Sequence, residues 1–158
     1  MRAGRLAVAA VAVLVLARGA AADDRHAEYY YPPATSTEVY EARATTLADS
    51  DRARRIGFVT IMMHSLLAAP YQPDFAVFAK GEEAEKLIIV GLQDGRLNTI
   101  YRARAVFAML TAMARDTELF REYGVQDIFT FFDLCKLLGF AQITISDGVA
   151  FTHQVMIE

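Results

Sequence analysis

The sequence predicts an α+β fold, in which a four-stranded, mainly antiparallel sheet of two hairpins packs against three to four helices. Two observations predict this class. Apolar residues recur at helical spacing in two long segments, at about 51–69 and 96–114. Short runs rich in β-branched and aromatic residues occur in pairs, near 75–92 and 140–157. The predicted element order is therefore α-β-β-α-α-β-β.

The composition limits the classes of protein to which the chain can belong. With 158 residues, 54% of them hydrophobic, the chain can bury the core of one domain. The net charge of -3 argues against nucleic acid as a partner, because phosphate neutralisation requires concentrated positive charge. The single Cys excludes an internal disulfide and a thiolate zinc site.

Residues 1–22 have the three parts of a secretory signal peptide. A basic start is followed by the apolar run Leu6–Ala17 and then by small residues that end at Ala22. The run of 12 residues is shorter than the roughly 20 that cross a bilayer. We expect cleavage after Ala22 and a periplasmic protein without a membrane span; a retained N-terminal anchor is the alternative. The mature chain then has 13 Lys and Arg against 19 Asp and Glu, a net charge of -6.

Residues 23–49 are predicted to be an extended polar leader before a single α+β domain at 50–158. Two consecutive prolines, Pro32 and Pro33, exclude a helix there and favour an extended conformation. A short helix is possible at 38–48. Three tyrosines precede the prolines and either pack on the domain or dock in a groove of a partner. They are Tyr29, Tyr30 and Tyr31.

The first predicted helix spans about 51–69. Asp49 or Ser50 can cap its N-terminus, and Pro70 ends it. Arg52 and Arg55 lie on the side opposite the apolar stripe and are expected to face solvent. The residues of that stripe are Ile56, Val59, Met63, Leu66 and Leu67.

The next two strands are predicted at about 75–79 and 86–92. The second contains Leu87–Val90, which is apolar on both faces. Such a strand is either covered on both sides or used as an interface. Ile88 and Val90 are therefore candidates for a partner surface, together with the three tyrosines.

A long helix is predicted from about Arg96 to Ala114, with Asp94 and Gly95 at its start. The alternative is a hairpin turn at these two residues, followed by a strand. The helical stripe consists of Ile100, Ala103, Phe107, Leu110 and Ala114.

Two short helices are predicted to follow, each ended by a glycine. Asp116 begins the first and Asp127 the second, and they end at Gly124 and Gly139. Apolar Phe140 directly after the second glycine is typical of a Schellman-type cap.

The last predicted element is a hairpin with the three-residue loop Ser146–Gly148. This register pairs Ile145 with Val149. It also pairs Ile143 with Phe151, and it places glycine at the left-handed position of the loop.

The sequence contains no motif that predicts a reaction. The glycines are scattered, and neither a phosphate-binding loop nor a GxSxG nucleophile elbow is present. His64 and His153 lack metal-ligand spacing, so no metal is predicted and they are only weak candidates. Met62 and His64 would suit a soft copper site, but His64 is better explained as a partly exposed helical residue and His153 as partly buried.

We interpret Cys135 and the clustered arginines as structural rather than functional residues. Cys135 lies one turn from aromatic residues and is expected to be a buried, unreactive thiol. The clustered arginines of the first helix are expected to form a solvated face. Arg102 and Arg104 leave their helix in different directions, so they are not expected to chelate one anion together.

Four segments resemble a family of small exported alphaproteobacterial proteins, and the likeness covers nearly all of the mature chain. Members often carry the label molybdopterin-guanine dinucleotide biosynthesis protein A. That label implies a transferase that joins GMP from GTP to molybdopterin with magnesium, but no active-site residue of such a transferase matches a position in this chain. The segments are Phe78–Leu87, Arg102–Val106, Phe129–Phe140 and Thr144–Gly148.

Three functions are compatible with the sequence. The first is an exported accessory module, with no cofactor, that binds another periplasmic protein or forms a homodimer. The second is the molybdenum-cofactor role that the resemblance implies. The third and weakest is a carrier of a metal or small ligand.

Overall fold

The computed structural model describes residues 31–158. The predicted signal peptide, its cleavage site, Tyr29 and Tyr30 lie outside the described residues. The elements are β1 (Ser36–Tyr40), α1 (Arg52–Ala68), β2 (Phe75–Lys80), β3 (Lys86–Gly91), α2 (Ile100–Arg115), α3 (Glu118–Tyr123), α4 (Phe131–Leu137), β4 (Gln142–Ser146) and β5 (Thr152–Ile157).

The strands form one mixed sheet with the order β1-β5-β4-β3-β2. β2 pairs with β3 and β4 with β5 in antiparallel fashion, whereas β3–β4 and β1–β5 are parallel. The α+β class and the two hairpins are confirmed. The predicted four-stranded, mainly antiparallel sheet is wrong in detail, because the helices between β3 and β4 form a crossover that returns the chain in the same direction.

β1 lies inside the segment that was predicted to be a leader. The possible helix at 38–48 does not form; Ser36–Tyr40 is an edge strand instead. Its partner is the last strand of the chain, with Ser36 opposite His153. Because this pairing joins residues more than a hundred positions apart, no local sequence pattern predicts it.

The core lies between the helices and one face of the sheet. Val77, Ile89 and Ile145 lie side by side on neighbouring strands and are buried in the core cluster. The stripe predicted for α2 is confirmed, with Phe107 and Leu110 among its buried residues.

α1 begins as predicted but packs differently. The Asp51 carboxylate, rather than Asp49 or Ser50, caps it by accepting the backbone N–H of Arg54 at 2.8 Å. Its predicted stripe is only partly right, because Ile56 is 37% exposed and Leu67 is 65% exposed.

Arg55 is buried rather than solvated, which corrects the prediction for this helix face. Its Nε donates to the Glu83 carbonyl at 2.8 Å, and Nη1 donates to the Leu138 carbonyl at 3.3 Å. The Glu83 carboxylate lies 4.0 Å from Nη2. The guanidinium therefore joins α1 to the β2–β3 turn and to the end of α4, and satisfies carbonyl groups that would otherwise lack donors.

The helices α2, α3 and α4 begin later than predicted, because threonines rather than aspartates cap them. The predicted start at Asp94–Gly95 and those at Asp116 and Asp127 are each a few residues early, and the alternative hairpin does not form. The N-cap residues are Thr99, Thr117 and Thr130.

The Schellman-type end of α4 is confirmed. The Phe140 N–H donates to the Cys135 carbonyl, and the Gly139 N–H donates to the Lys136 carbonyl, both at 2.9 Å. Gly139 has φ = 78°, in the left-handed region that favours glycine.

The predicted register of the last hairpin is wrong by four residues. Ile145 lies opposite His153 rather than Val149, although the buried face is unchanged. The loop is longer because its own side chains stabilise it. The Asp147 carboxylate accepts the N–H groups of residues 149, 150 and 151, each at 2.9 Å, and Ser146 Oγ donates to the Phe151 carbonyl.

Candidate functional site

Three polar side chains meet where β1 pairs with β5. Ser36 and Glu38 are two positions apart on β1 and share a sheet face with His153 of β5. Ser36 Oγ lies 2.8 Å from His153 Nδ1, and Glu38 Oε1 lies 3.2 Å from His153 Nε2. The residues form a row of hydroxyl, imidazole and carboxylate, which we call the Ser36 cluster.

The ring of His153 is 2% exposed, whereas Ser36 is exposed and Glu38 is partly exposed. If Ser36 donates its hydroxyl proton to Nδ1, the ring proton is on Nε2, on the side of Glu38. Nε2 has no aligned hydrogen bond, although the carboxylate is within ion-pair distance. Arg104 Nη2 of α2 lies 3.5 Å from Oε2 of the same carboxylate.

Sequence reasoning found His153 but missed both of its neighbours. The interpretation of His153 as a partly buried residue understates its burial. Ser36 and Glu38 were missed because they lie in the predicted leader. The only available signal was the alternation of Ser36, Glu38 and Tyr40, which puts their side chains on one face of a strand.

A second polar cluster attaches β1 to α4. Asp133 is fully buried, and its carboxylate accepts the N–H groups of Thr130 and Arg43, each at 2.7 Å, and the Tyr40 hydroxyl at 3.1 Å. Burial raises the pKa of the Tyr40 hydroxyl, and the Asp133 charge raises it further. The Asp133 carboxylate is thus fully engaged by its own chain, which indicates a structural role.

Several large apolar side chains are exposed on α1 or just after its end. Only Arg55 and Val59 are buried in this helix of 17 residues. Ile61 is 67% exposed, and Leu67 and Tyr71 are also largely exposed. We call Ile61, Leu67, Tyr71 and the two grooves that flank the helix the α1 surface.

The two grooves of the α1 surface are both lined mainly by apolar residues. The first runs between α1 and the helices α2 and α4, has a volume of about 210 Å³, and includes Met62 and Met113. The second runs between α1 and the edge strand β2 and includes Met63, His64 and Phe78. Methionines suit a surface that adapts to a partner, because their side chains are flexible and polarisable.

A more polar cleft lies between the start of β2 and the start of α2. Arg96 and Asp74 face each other across it at 3.8 Å, and both are more than half exposed. Arg102 also lines the cleft, whereas Arg104 contacts Glu38. The two arginines diverge as expected and do not form a shared anion site.

The other predicted site residues are dispersed. His64 is exposed, and the described part of the chain holds no group of three His, Cys, Asp or Glu that could bind a metal. Ile88 is buried, and Val90 and Tyr31 are half-buried. Cys135 is fully buried as predicted, and burial raises the pKa of its thiol.

Comparison with family models, with curated proteins and with solved structures found no match to the chain. Within residues 31–158, no helix is long and apolar enough to cross a membrane.

Proposed function

We propose that the chain is an exported accessory module that binds another protein through the α1 surface. The observation that supports this proposal is the exposure of Ile61 and Leu67 on a helix with only two buried residues. Apolar side chains that are scattered singly need no explanation, but here Ile61 lines one apolar groove beside the helix and Leu67 lines the other. Such a continuous apolar surface is typical of an interaction site.

The occupant proposed for the first groove is an amphipathic helix of the partner. Helix-in-groove recognition uses an apolar helix face that lies between helices, and methionines adapt to its side chains. Here Met62 on α1 and Met113 on α2 stand on opposite sides of the groove. The groove has little polar lining, so the partner contributes apolar rather than charged contacts.

The experiment compares capture of proteins from periplasmic extract by the wild type and by Ile61→Asp. A charge at this exposed position should leave the stability nearly unchanged but abolish capture, because an unpaired carboxylate would be desolvated in the complex. Tyr101→Asp is the matched control, since Tyr101 is 80% exposed at the other end of α2. Equal capture by the wild type and both variants would contradict the proposal.

Export is a separate part of the proposal. N-terminal sequencing of the protein isolated from its native host should give Asp23 as the first residue. A chain that begins at Met1 and remains with the membrane fraction would favour the retained anchor instead.

A further inference from the structure

The Ser36 cluster contains the three kinds of group that nucleophilic catalysis requires, and it is distinct from the α1 surface. We propose that Ser36 is a nucleophile that accepts acyl groups from carboxylic esters. In this proposal His153 is its general base, and Glu38 orients the imidazole.

The distances in the cluster suit these roles. A nucleophile and its base must lie within about 2.6–3.2 Å, and the separation of 2.8 Å between Ser36 Oγ and His153 Nδ1 is within that range. Glu38 lies on the opposite side of the ring, 3.2 Å from Nε2. Its carboxylate favours the ring proton on Nε2 and leaves Nδ1 free to accept the serine proton.

The nucleophile of the cluster is exposed and its base is buried, as this chemistry requires. Ser36 is exposed on an edge strand, so an ester can reach its hydroxyl from solvent. His153 is buried, so the proton that it receives stays beside the reacting oxygen.

A purely structural role for His153 does not explain why one of its ring nitrogens has no hydrogen bond. A buried histidine that only fills space is expected to have both ring nitrogens hydrogen bonded. Nε2 has no aligned partner, although the Glu38 carboxylate lies 3.2 Å away and Arg104 contacts that carboxylate on its other oxygen. Catalytic hydrogen bonds are often poorly aligned before a substrate binds.

The reaction proceeds in two balanced halves. Ser36 Oγ attacks the carbonyl carbon of the ester while its proton moves to Nδ1 of His153. The tetrahedral intermediate then collapses, the bond to the alcohol oxygen breaks, and this oxygen takes the proton from Nδ1. Water then attacks the carbonyl carbon of acyl-Ser36 while Nδ1 of His153 takes its proton. The bond from this carbon to Ser36 Oγ breaks, Oγ takes the proton back from Nδ1, and the carboxylic acid leaves. The Glu38 carboxylate faces Nε2 and stabilises the transient imidazolium.

The test uses the mature chain with a fluorophosphonate probe and with p-nitrophenyl acetate. The probe should label one residue, identified as Ser36 by peptide mapping, and Ser36→Ala should remove both labelling and p-nitrophenol release. Thr37→Ala is the matched control, because Thr37 is the exposed neighbour on the other face of the strand. This control should react like the wild type.

Two further variants test the roles of the base and the carboxylate. His153→Gln should slow labelling about a hundredfold, and Glu38→Gln should slow it about tenfold while the melting temperature stays close to that of the wild type. Glu38 is partly exposed, so this second variant remains informative even if His153→Gln does not fold. A wild type that is not labelled at Ser36, or a folded Glu38→Gln labelled at the wild-type rate, would overturn the proposal.

Discussion

Arg55 and Asp133 are charged side chains that are buried and bonded to main-chain groups of other elements. Arg55 reaches the carbonyls of Glu83 and Leu138, and Asp133 accepts the backbone N–H groups of Arg43 and Thr130. Leaving such a group without a partner costs about 1–3 kcal/mol or more. Each of these two residues therefore fixes the position of a segment that apolar packing alone does not specify.

Gly139 provides a test of the position of Arg55. A Cβ at Gly139 would lie 2.6 Å from Arg55 Nη1 and 2.8 Å from Ser50 Oγ, whereas a Cβ at Gly124 would meet nothing within 4 Å. Both glycines have positive φ, so both alanine variants carry the same kind of backbone strain. Gly124→Ala should lower the free energy of unfolding by about 1 kcal/mol, and Gly139→Ala by about 3 kcal/mol. Urea unfolding measures both losses; equal losses would show that the side chains of Arg55 and Ser50 move aside without cost.

The hydrogen bonds to the Asp147 carboxylate predict how the free energy of unfolding changes as the pH falls. Burial alone would raise the pKa of its carboxyl, but the N–H groups of residues 149–151 outweigh that effect and hold the pKa below its usual range. A lowered folded-state pKa stabilises the protein above the unfolded-state value of about 4, and this contribution disappears as the pH falls through the lower folded value. Urea midpoints measured between pH 5 and pH 2 should therefore fall less steeply for Asp147→Asn than for the wild type. Parallel curves would contradict this account of the loop.

Among the helices and strands, the sequence predicts best the elements that bury a regularly spaced stripe of apolar residues. The predicted stripe of α2 is confirmed because every successive turn of this helix packs one residue against the core. α1 is harder to predict from its sequence, because the charged residue Arg55 is on its buried side. The apolar residues Ile61 and Leu67 are exposed to solvent instead. β1 shows only a weak alternation in its five residues, and the contacts that hold it come from β5 and α4.

The attachment of β1 predicts a local effect of Asp133. Asp133→Ala removes the acceptor for Arg43 N–H and Tyr40 Oη at once and should destabilise the protein by about 3 kcal/mol. Hydrogen exchange should show the largest increase in β1 and at the start of α4. Glu38→Ala is the control on the same strand, and it should leave exchange at the start of α4 unchanged. An increase spread evenly over all strands would contradict a local role.

At the scale of the whole molecule, the two hairpins were predictable and their arrangement was not. Alternation within each hairpin identifies its strands, but the parallel pairing of Leu87 with Ile143 joins segments separated by three helices. The Ser36 cluster was missed for the same reason, since Ser36 and His153 come from opposite ends of the described chain. Local patterns carry no information about such pairings.

The rate at which the Cys135 thiol is alkylated measures unfolding of the protein. It is fully buried in α4, and burial raises the pKa of its thiol well above the usual value. We expect iodoacetamide to leave the native protein unmodified for minutes at neutral pH and to alkylate it completely in urea. The rate in intermediate urea should follow the unfolded fraction. Rapid alkylation without urea would show that α4 opens locally.

Photo-crosslinking in the native host shows whether the α1 surface binds another protein. A benzophenone side chain in place of Ile61 should crosslink to an apolar helical segment of another exported protein, whereas the same group in place of Tyr101 should not. Absence of a crosslink from the position of Ile61, the same products from both positions, or crosslinks only to a second copy of the chain would contradict the claim.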